Sequence, residues 1–322
     1  MERDLFKKSA LNKPFLWIFA ALVSLGLLGL VVAQVDWAQA ATMLRNISWV
    51  FLGGAFVFLV AEGVATALRL WLFAQKKPCL SEALKANAWY VLLLVVLPAR
   101  LGEIAAVVVL ERCLGQKYGA AAMSILTQRL YDVMVLGVVF LIALLGLGDF
   151  IDKEIMGVAA LGLIGLALFV LVRLEMFLTW AAILFKKMPR SLYRLILQGR
   201  IYSRHKLQRR DIPMALFFTA LKWVSNLGAL VCLFMALHLG LGMFENVTVA
   251  AAYNFLAIIP LQTIGGIGVG EAGLALLLIG MGLTASMAAG ASLMIRFVIL
   301  IFPFIFWAMV MGGLKIKERL GV

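Results

Sequence analysis

A carboxylate and a guanidinium recur twice in this chain, each time within an apolar stretch and at nearly the same spacing. The first copy reads Pro98-Ala-Arg100-Leu-Gly102-Glu103, then Gly115, then Arg129. The second reads Pro260, then Gly265-Gly266-Ile-Gly268-Val-Gly270-Glu271, then Gly282, then Arg296. From Glu to the next Gly is 12 residues in one copy and 11 in the other, and from that Gly to the Arg is 14 in both. Aligned over 115–129 and 282–296, five of fifteen positions are identical, as expected of a duplicated unit. Each Glu follows a glycine at a Pro/Gly break, where a new helix starts and presents backbone N–H groups. A helix N-terminus beside an arginine fork suits an anionic group such as phosphate.

Other chemistries lack their residues. The glycine run at 265–270 is followed by no Gly-Lys-Ser/Thr and preceded by no strand, so neither a P-loop nor a dinucleotide fingerprint is expected. No His/Cys cluster suits zinc, and no Asp-rich pair suits magnesium-dependent prenyl transfer. With two histidines in the chain, no Ser/His/Asp set is convincing. The expectation is a protein without enzymatic activity, metal or cofactor.

The elements that hold these residues must be membrane helices. Apolar residues make up 64% of the chain, charged residues 14%, and mean hydropathy is +1.05. A hydrocarbon core takes about 20 apolar residues per helix. Full spans are expected at 14–35, 48–74, 118–148, 155–173, 212–240 and 286–312. The run 14–33 follows Lys7, Lys8 and Lys13 but is too long for a signal h-region, so it reads as an uncleaved first span. The net charge of +13 lies between the apolar runs, where it sets orientation and does not imply nucleic-acid binding. Segment 186–210 holds nine Lys or Arg and no acid, which places it, and both termini, on the cytoplasmic side. Cys79, Cys113 and Cys232 are odd in number and widely spaced, and read as reduced packing thiols.

Two apolar stretches are too short to cross. Residues 83–97 break at Pro98, and residues 248–259 break at Pro260, each with a short return. At about 1.5 Å per residue, 11 or 12 residues reach about halfway through a ~30 Å core. Both read as re-entrant helical hairpins. The first lies between Lys76-Lys77 and Lys117 and enters from the cytoplasm; the second lies after Glu245 and enters from outside. The fold expected is an all-α integral membrane protein, one domain over 1–322, with six full transmembrane helices and two re-entrant hairpins in an inverted-repeat arrangement. Repeat 1 covers about 83–148, repeat 2 about 248–313, and a basic cytoplasmic segment covers 174–211.

Eight charges fall at membrane depth: Glu62, Glu103, Asp132 and Glu271, with Arg69, Arg100, Arg129 and Arg296. Left unpaired near the bilayer centre, each costs about 2.5–3.5 kcal/mol, so together they must pair or line a wet cavity. Arg129 and Asp132 are three apart on one helix face, and a local ion pair would explain them without function. Glu62 and Arg69 are two turns apart on one face, and Arg69 has the alternative of snorkelling to the interface. Lys222 and His238 read as interfacial or packing residues. Segment 186–210 is expected to meet anionic lipid, each basic residue contributing about 1 kcal/mol near that surface.

The stretches Leu97-Pro-Ala-Arg-Leu-Gly-Glu103, Thr127-Gln-Arg-Leu-Tyr-Asp132 and Ile259-Pro-Leu-Gln-Thr-Ile-Gly-Gly-Ile-Gly-Val-Gly-Glu-Ala272 resemble the lysylphosphatidylglycerol synthase transmembrane-region family, from about residue 14 to 313. Arg100, Glu103, Arg129, Gly266, Gly268, Glu271 and Arg296 match the family pattern. The resemblance implies a flippase-like lipid translocase of a prokaryotic cytoplasmic membrane, moving an anionic or aminoacylated phospholipid or a related polar-headed lipid. The site it implies comprises the eight charges, with Gly102, Gly265, Gly266, Gly268 and Gly270 at the hairpin tips. Bifunctional members carry a soluble catalytic domain after the membrane region; this sequence stops at Val322, so aminoacyl-lipid synthesis is not expected of it. The residues leave open a membrane enzyme or accessory subunit in lipid-linked (polyprenyl-phosphate) glycan assembly, a small-anion transporter, and assembly as a homodimer.

Overall fold

The computed structural model describes residues 25–74, 78–97, 101–145, 153–173, 176, 179, 197–199, 201–202, 211–258 and 268–320. Among these the secondary structure is entirely helical. In chain order the helices are α1 (Leu25–Ala33), α2 (Trp37–Arg45), α3 (Trp49–Phe73), α4 (Leu80–Val96), α5 (Leu101–Leu114), α6 (Tyr118–Leu145), α7 (Lys153–Val172), α8 (Ile212–Ala236), α9 (Met243–Ile258), α10 (Val269–Gly280) and α11 (Ala285–Leu320).

Four of them, α3, α6, α8 and α11, are long and apolar enough to cross a membrane, or five spans if α1 and α2 count as one broken span. Outward-facing positions on these and neighbouring helices are apolar: Val57 on α3, Val158 on α7, Leu276 on α10 and Phe297 on α11 are each at least 66% exposed. That is the reverse of a water-facing surface and marks contact with lipid. The protein is an integral membrane protein.

Elements depart from the expected spans for local reasons. Between α1 and α2 the chain turns by 83° after Ala33, close to the expected end of the first span at 35; residues 14–24 of that span lie outside the described residues. Asp36 causes the turn by capping a new helix: its carboxylate accepts the N–H groups of Ala38 (2.9 Å) and Gln39 (3.2 Å). α2 is then tied to α11, where Ser286 Oγ donates to Gln39 Oε1 (2.8 Å). α11 runs 36 residues through Pro303, well past the expected end at 312, because the basic stretch after it is also a good helix former. A 20-residue apolar helix, α7, occupies the region expected at 155–173.

α4 and α5 pack against one another, and so do α9 and α10. Gly102 makes the first pair possible, since a Cβ there would lie 2.7 Å from Leu94 Cα and 2.8 Å from Leu93 O. Each pair leads through a left-handed glycine into a long helix: Gly115 (φ +60) before α6, and Gly282 (φ +91) before α11. The tips at 98–100 and 259–267, with Pro98, Arg100, Pro260, Gly265 and Gly266, lie outside the described residues, as does most of segment 174–211.

The centre of the molecule is the α3–α8 contact, built from small residues. Ala55, Ala65 and Ala67 on α3 and Ala229 on α8 are fully or almost fully buried. Without a hydrophobic force between helices in lipid, close backbone approach supplies the attraction, and that needs small side chains. Gly228 lies under the ring of Phe58, and Gly63 lies under the ring of Phe306 from α11. The Gly63 carbonyl also accepts from Asn87 Nδ2 of α4 at 2.7 Å, so one glycine joins three helices.

Candidate functional site

Asp132 is the centre of the polar interior. It stands 14 residues after Tyr118 and 13 before Leu145, so it lies about 20 Å from either end of α6. Glu62 on α3, 13 residues after Trp49 and 11 before Phe73, is similarly central. Asn226, 14 residues into α8 and 10 from its end, completes the level. Polar groups from three long helices thus meet near the middle of their lengths.

Asp132 Oδ1 accepts from Arg69 Nη1 at 2.7 Å, from Trp223 Nε1 at 2.9 Å, and lies 3.2 Å from Lys222 Nζ. Its Oδ2 lies 3.9 Å from Arg129 Nη1. Arg69 is further fixed by donating Nη2 to the Gln128 carbonyl at 3.0 Å. Arg129 Nη2 donates to Tyr90 Oη of α4 at 3.3 Å. Lys222 lies over the Trp223 ring, 3.9 Å from its centroid, adding a cation–π contact to its ion pair. The carboxylate is thereby saturated by three cations and an indole.

Glu62 is differently placed. Among the described residues its carboxylate accepts one hydrogen bond, from Asn226 Nδ2 at 3.1 Å. Asn226 Oδ1 in turn accepts from Asn254 Nδ2 of α9 at 2.8 Å, and Asn254 is anchored to its own helix at the Ala250 carbonyl. Glu62, Arg129, Asp132, Lys222, Asn226 and Asn254 line a polar cavity of ≈ 170 Å³. Arg129 contributes a side chain that is 40% exposed, whereas Asp132 is 6% exposed. A larger cavity of ≈ 630 Å³ lies between α2, α3, α8 and α11, but its lining, including Trp37, Trp49, Met294 and Phe297, is apolar. Chemistry for a charged ligand belongs to the smaller one.

The second copy of the repeated motif forms its own pair. Glu271 is 2% exposed, and its Oε1 lies 3.2 Å from Arg296 Nε. Its Oε2 accepts the Gly268 N–H at 2.6 Å, which caps α10. Gly268 holds φ +90, a conformation that only glycine adopts without strain. Gly270 lies beside the pair: a Cβ there would stand in ordinary contact with Tyr253 Oη (3.4 Å) and Arg296 Nη1 (3.5 Å). Tyr253 also hydrogen-bonds Arg296. α9 therefore carries Tyr253 for one charged group and Asn254 for the other.

The expected residues are only partly brought together. Glu62, Arg69, Arg129 and Asp132 share one cluster, and Glu271 and Arg296 form a separate pair; Arg100 and the side chain of Glu103 lie outside the described residues. Three expectations are corrected. Arg69 does not snorkel: it is 1% exposed and bonded to Asp132. Nor does it pair with Glu62, because seven residues on one helix separate them by about 10 Å of rise. Lys222 is no interfacial residue but a member of the cluster, its side chain 12% exposed. The reading from sequence also missed Asn226, Asn254, Trp223 and Tyr253. The available signal was their spacing: Lys222 and Asn226 are four apart on one face of an otherwise apolar helix.

Among the described residues no group of three or more His, Cys, Asp or Glu is placed to hold a metal ion. Fold and site define a polytopic membrane protein with a charged centre at mid-depth. The chain belongs to the family of the lysylphosphatidylglycerol synthase transmembrane region, which it matches over residues 17–306. No curated protein and no solved structure matches it. Membership suggests a membrane lipid-related function.

Proposed function

We propose that the protein is a lipid translocase, carrying an anionic or zwitterionic phospholipid headgroup across a prokaryotic cytoplasmic membrane while the acyl chains stay in lipid. The observation that carries this reading is the polar cavity at mid-depth, lined by Lys222 and Arg129 on helices whose outer faces meet lipid. Charge at that depth is expensive and is retained where a substrate uses it. Among the described residues the cluster brings Arg69, Arg129 and Lys222 to the carboxylates of Glu62 and Asp132, and Arg129 and Lys222 reach the cavity, where they suit a phosphodiester. In this reading α4–α5 and α9–α10 are re-entrant hairpins entering from opposite faces, six helices span the bilayer, and both termini are cytoplasmic. The hairpins alternately close the centre to one side, and no bond is made or broken. Segment 186–210 gathers anionic lipid at the cytoplasmic face.

The test is movement of fluorescent phosphatidylglycerol between leaflets of proteoliposomes. The wild-type protein should move it, and Lys222→Gln should slow it at least about tenfold, equivalent to roughly 1.4 kcal/mol, while Asp132 keeps Arg69 and Trp223. A folded Lys222→Gln protein working at the wild-type rate would remove the cavity from the path. A wild-type protein inert toward lipid would end the translocase reading.

A further inference from the structure

We propose that Glu62 is a proton-binding site that couples headgroup movement to the proton gradient, one proton travelling with each anionic headgroup. This rests on the translocase reading and adds its energy source. Two carboxylates share the cavity, and their surroundings assign them different tasks. Asp132 is compensated by Arg69, Lys222, Arg129 and the Trp223 indole. Glu62 lines the cavity with one neutral amide donor, Asn226, and no ion-pair partner within 4 Å among the described residues. It is therefore the acid that can be neutralised without stranding a bonded cation.

The groups around Glu62 give the sign of the coupling. From α8 it faces Lys222 and Asn226, from α6 Asp132 and Arg129, and from its own helix Arg69. α4 contributes Tyr90, bonded to Arg129, and α11 packs on α3 through the rings of Phe302 and Phe306. An anion that engages Lys222 and Arg129 cancels part of the positive field around Glu62 and adds a like charge beside it, and both effects favour a proton on the carboxylate. Binding of the anion and binding of the proton therefore favour each other, and by reciprocity each strengthens the other equally. The proton comes from cavity water onto the carboxylate and returns to water when the headgroup leaves on the other side. Protonated Glu62 gains an O–H donor and becomes a weaker acceptor for Asn226. Through Asn226 and Asn254 that change reaches α9, the first helix of the second hairpin.

The experiment is calorimetry of dioctanoyl phosphatidylglycerol binding to the purified full-length protein in neutral detergent, in buffers of different ionisation enthalpy across pH 5–9, with glycerol 3-phosphate in parallel. The expected result is uptake of about one proton per lipid bound, with affinity falling by up to about tenfold for each unit rise in pH. Glu62→Gln should bind without proton uptake and without pH dependence, while Glu62→Asp keeps both. Lipid binding by the wild type with no proton uptake overturns the coupling and leaves the translocase reading intact. Proton uptake that persists in Glu62→Gln overturns the assignment. Proton-linked binding of glycerol 3-phosphate without lipid binding keeps the proton site and overturns the lipid substrate; no binding of either probe overturns both readings.

Discussion

At the scale of the residue, the two central carboxylates differ in what their removal exposes. Asp132→Asn would leave Arg69 and Lys222 buried without a counter-charge, and breaking such a set costs about 3–5 kcal/mol. Glu62→Gln keeps an acceptor for Asn226 and strands no bonded cation, so it should cost less than about 1 kcal/mol. Melting of the two purified variants is the check: Asp132→Asn should melt far below the wild type and Glu62→Gln close to it. Equal losses would mean that Glu62 has a structural partner. Glu271 separates along similar lines. Glu271→Gln can still cap Gly268, whereas Glu271→Ala loses cap and charge together, with a further loss of about 0.5–2 kcal/mol. Glu271→Gln, which leaves Arg296 without its counter-charge, should melt below the wild type, and Glu271→Ala, which loses the cap as well, should melt lower still. Restored transport in an apolar Glu271/Arg296 double variant would reduce the pair to architecture.

At the scale of the element, the close approaches are made by glycines, but not all have the same remedy. A side chain at Gly63 would meet the ring of Phe306, with Cβ 2.6 Å from its edge. Gly63→Val should destabilise the protein by about 1–3 kcal/mol, and trimming Phe306 to Ala in the same chain should restore part of it. At Gly102 the obstacle is the backbone of Leu93 and Leu94, so no second substitution relieves Gly102→Val. Thermal melting of the two singles and of Gly63→Val with Phe306→Ala tests this; rescue of Gly102→Val by shortening Leu94 would show that α4 and α5 have room to part. Pro303 bears on the same helix. It removes one backbone hydrogen bond seven residues after Arg296, between the charged level of α11 and its packing on Gly63.

At the scale of the whole molecule, the repeat predicts opposite sidedness for its two copies. Lys117 precedes α6 just after Gly115, and Thr284 precedes α11 just after Gly282. Single cysteines at these positions should label from opposite faces of intact cells, 117 from the cytoplasm and 284 from outside. Labelling of both from one face would leave the repeat parallel and remove the inverted arrangement. That arrangement is also what two-sided access to a centre at mid-depth requires.

Much of this molecule was legible without coordinates because the bilayer makes its rules nearly one-dimensional. Apolar runs of about 20 residues must be helices, since lipid leaves backbone groups no other partners. That gave α3, α6, α8 and α11 to within a few residues at most ends, and the motif pattern gave the family. The pairing of Glu271 with Arg296 was likewise visible as a matched motif, because their elements are consecutive. What the chain order could not give was which helix faces meet across the bundle. Asp132 selects Arg69, 63 residues away, over Arg129 three residues away, because α3 and α6 bring the former in at 2.7 Å. Lys222 reads as one more basic residue until α8 packs on α3 and turns it inward. The isolation of Glu62 from its own Arg69 follows from two turns of helical rise combined with a neighbour that only tertiary packing supplies. Periodicity along each helix is set by the sequence; the rotation of one helix against another is set by small residues such as Gly63, Gly102 and Gly228, whose contacts exist only in three dimensions.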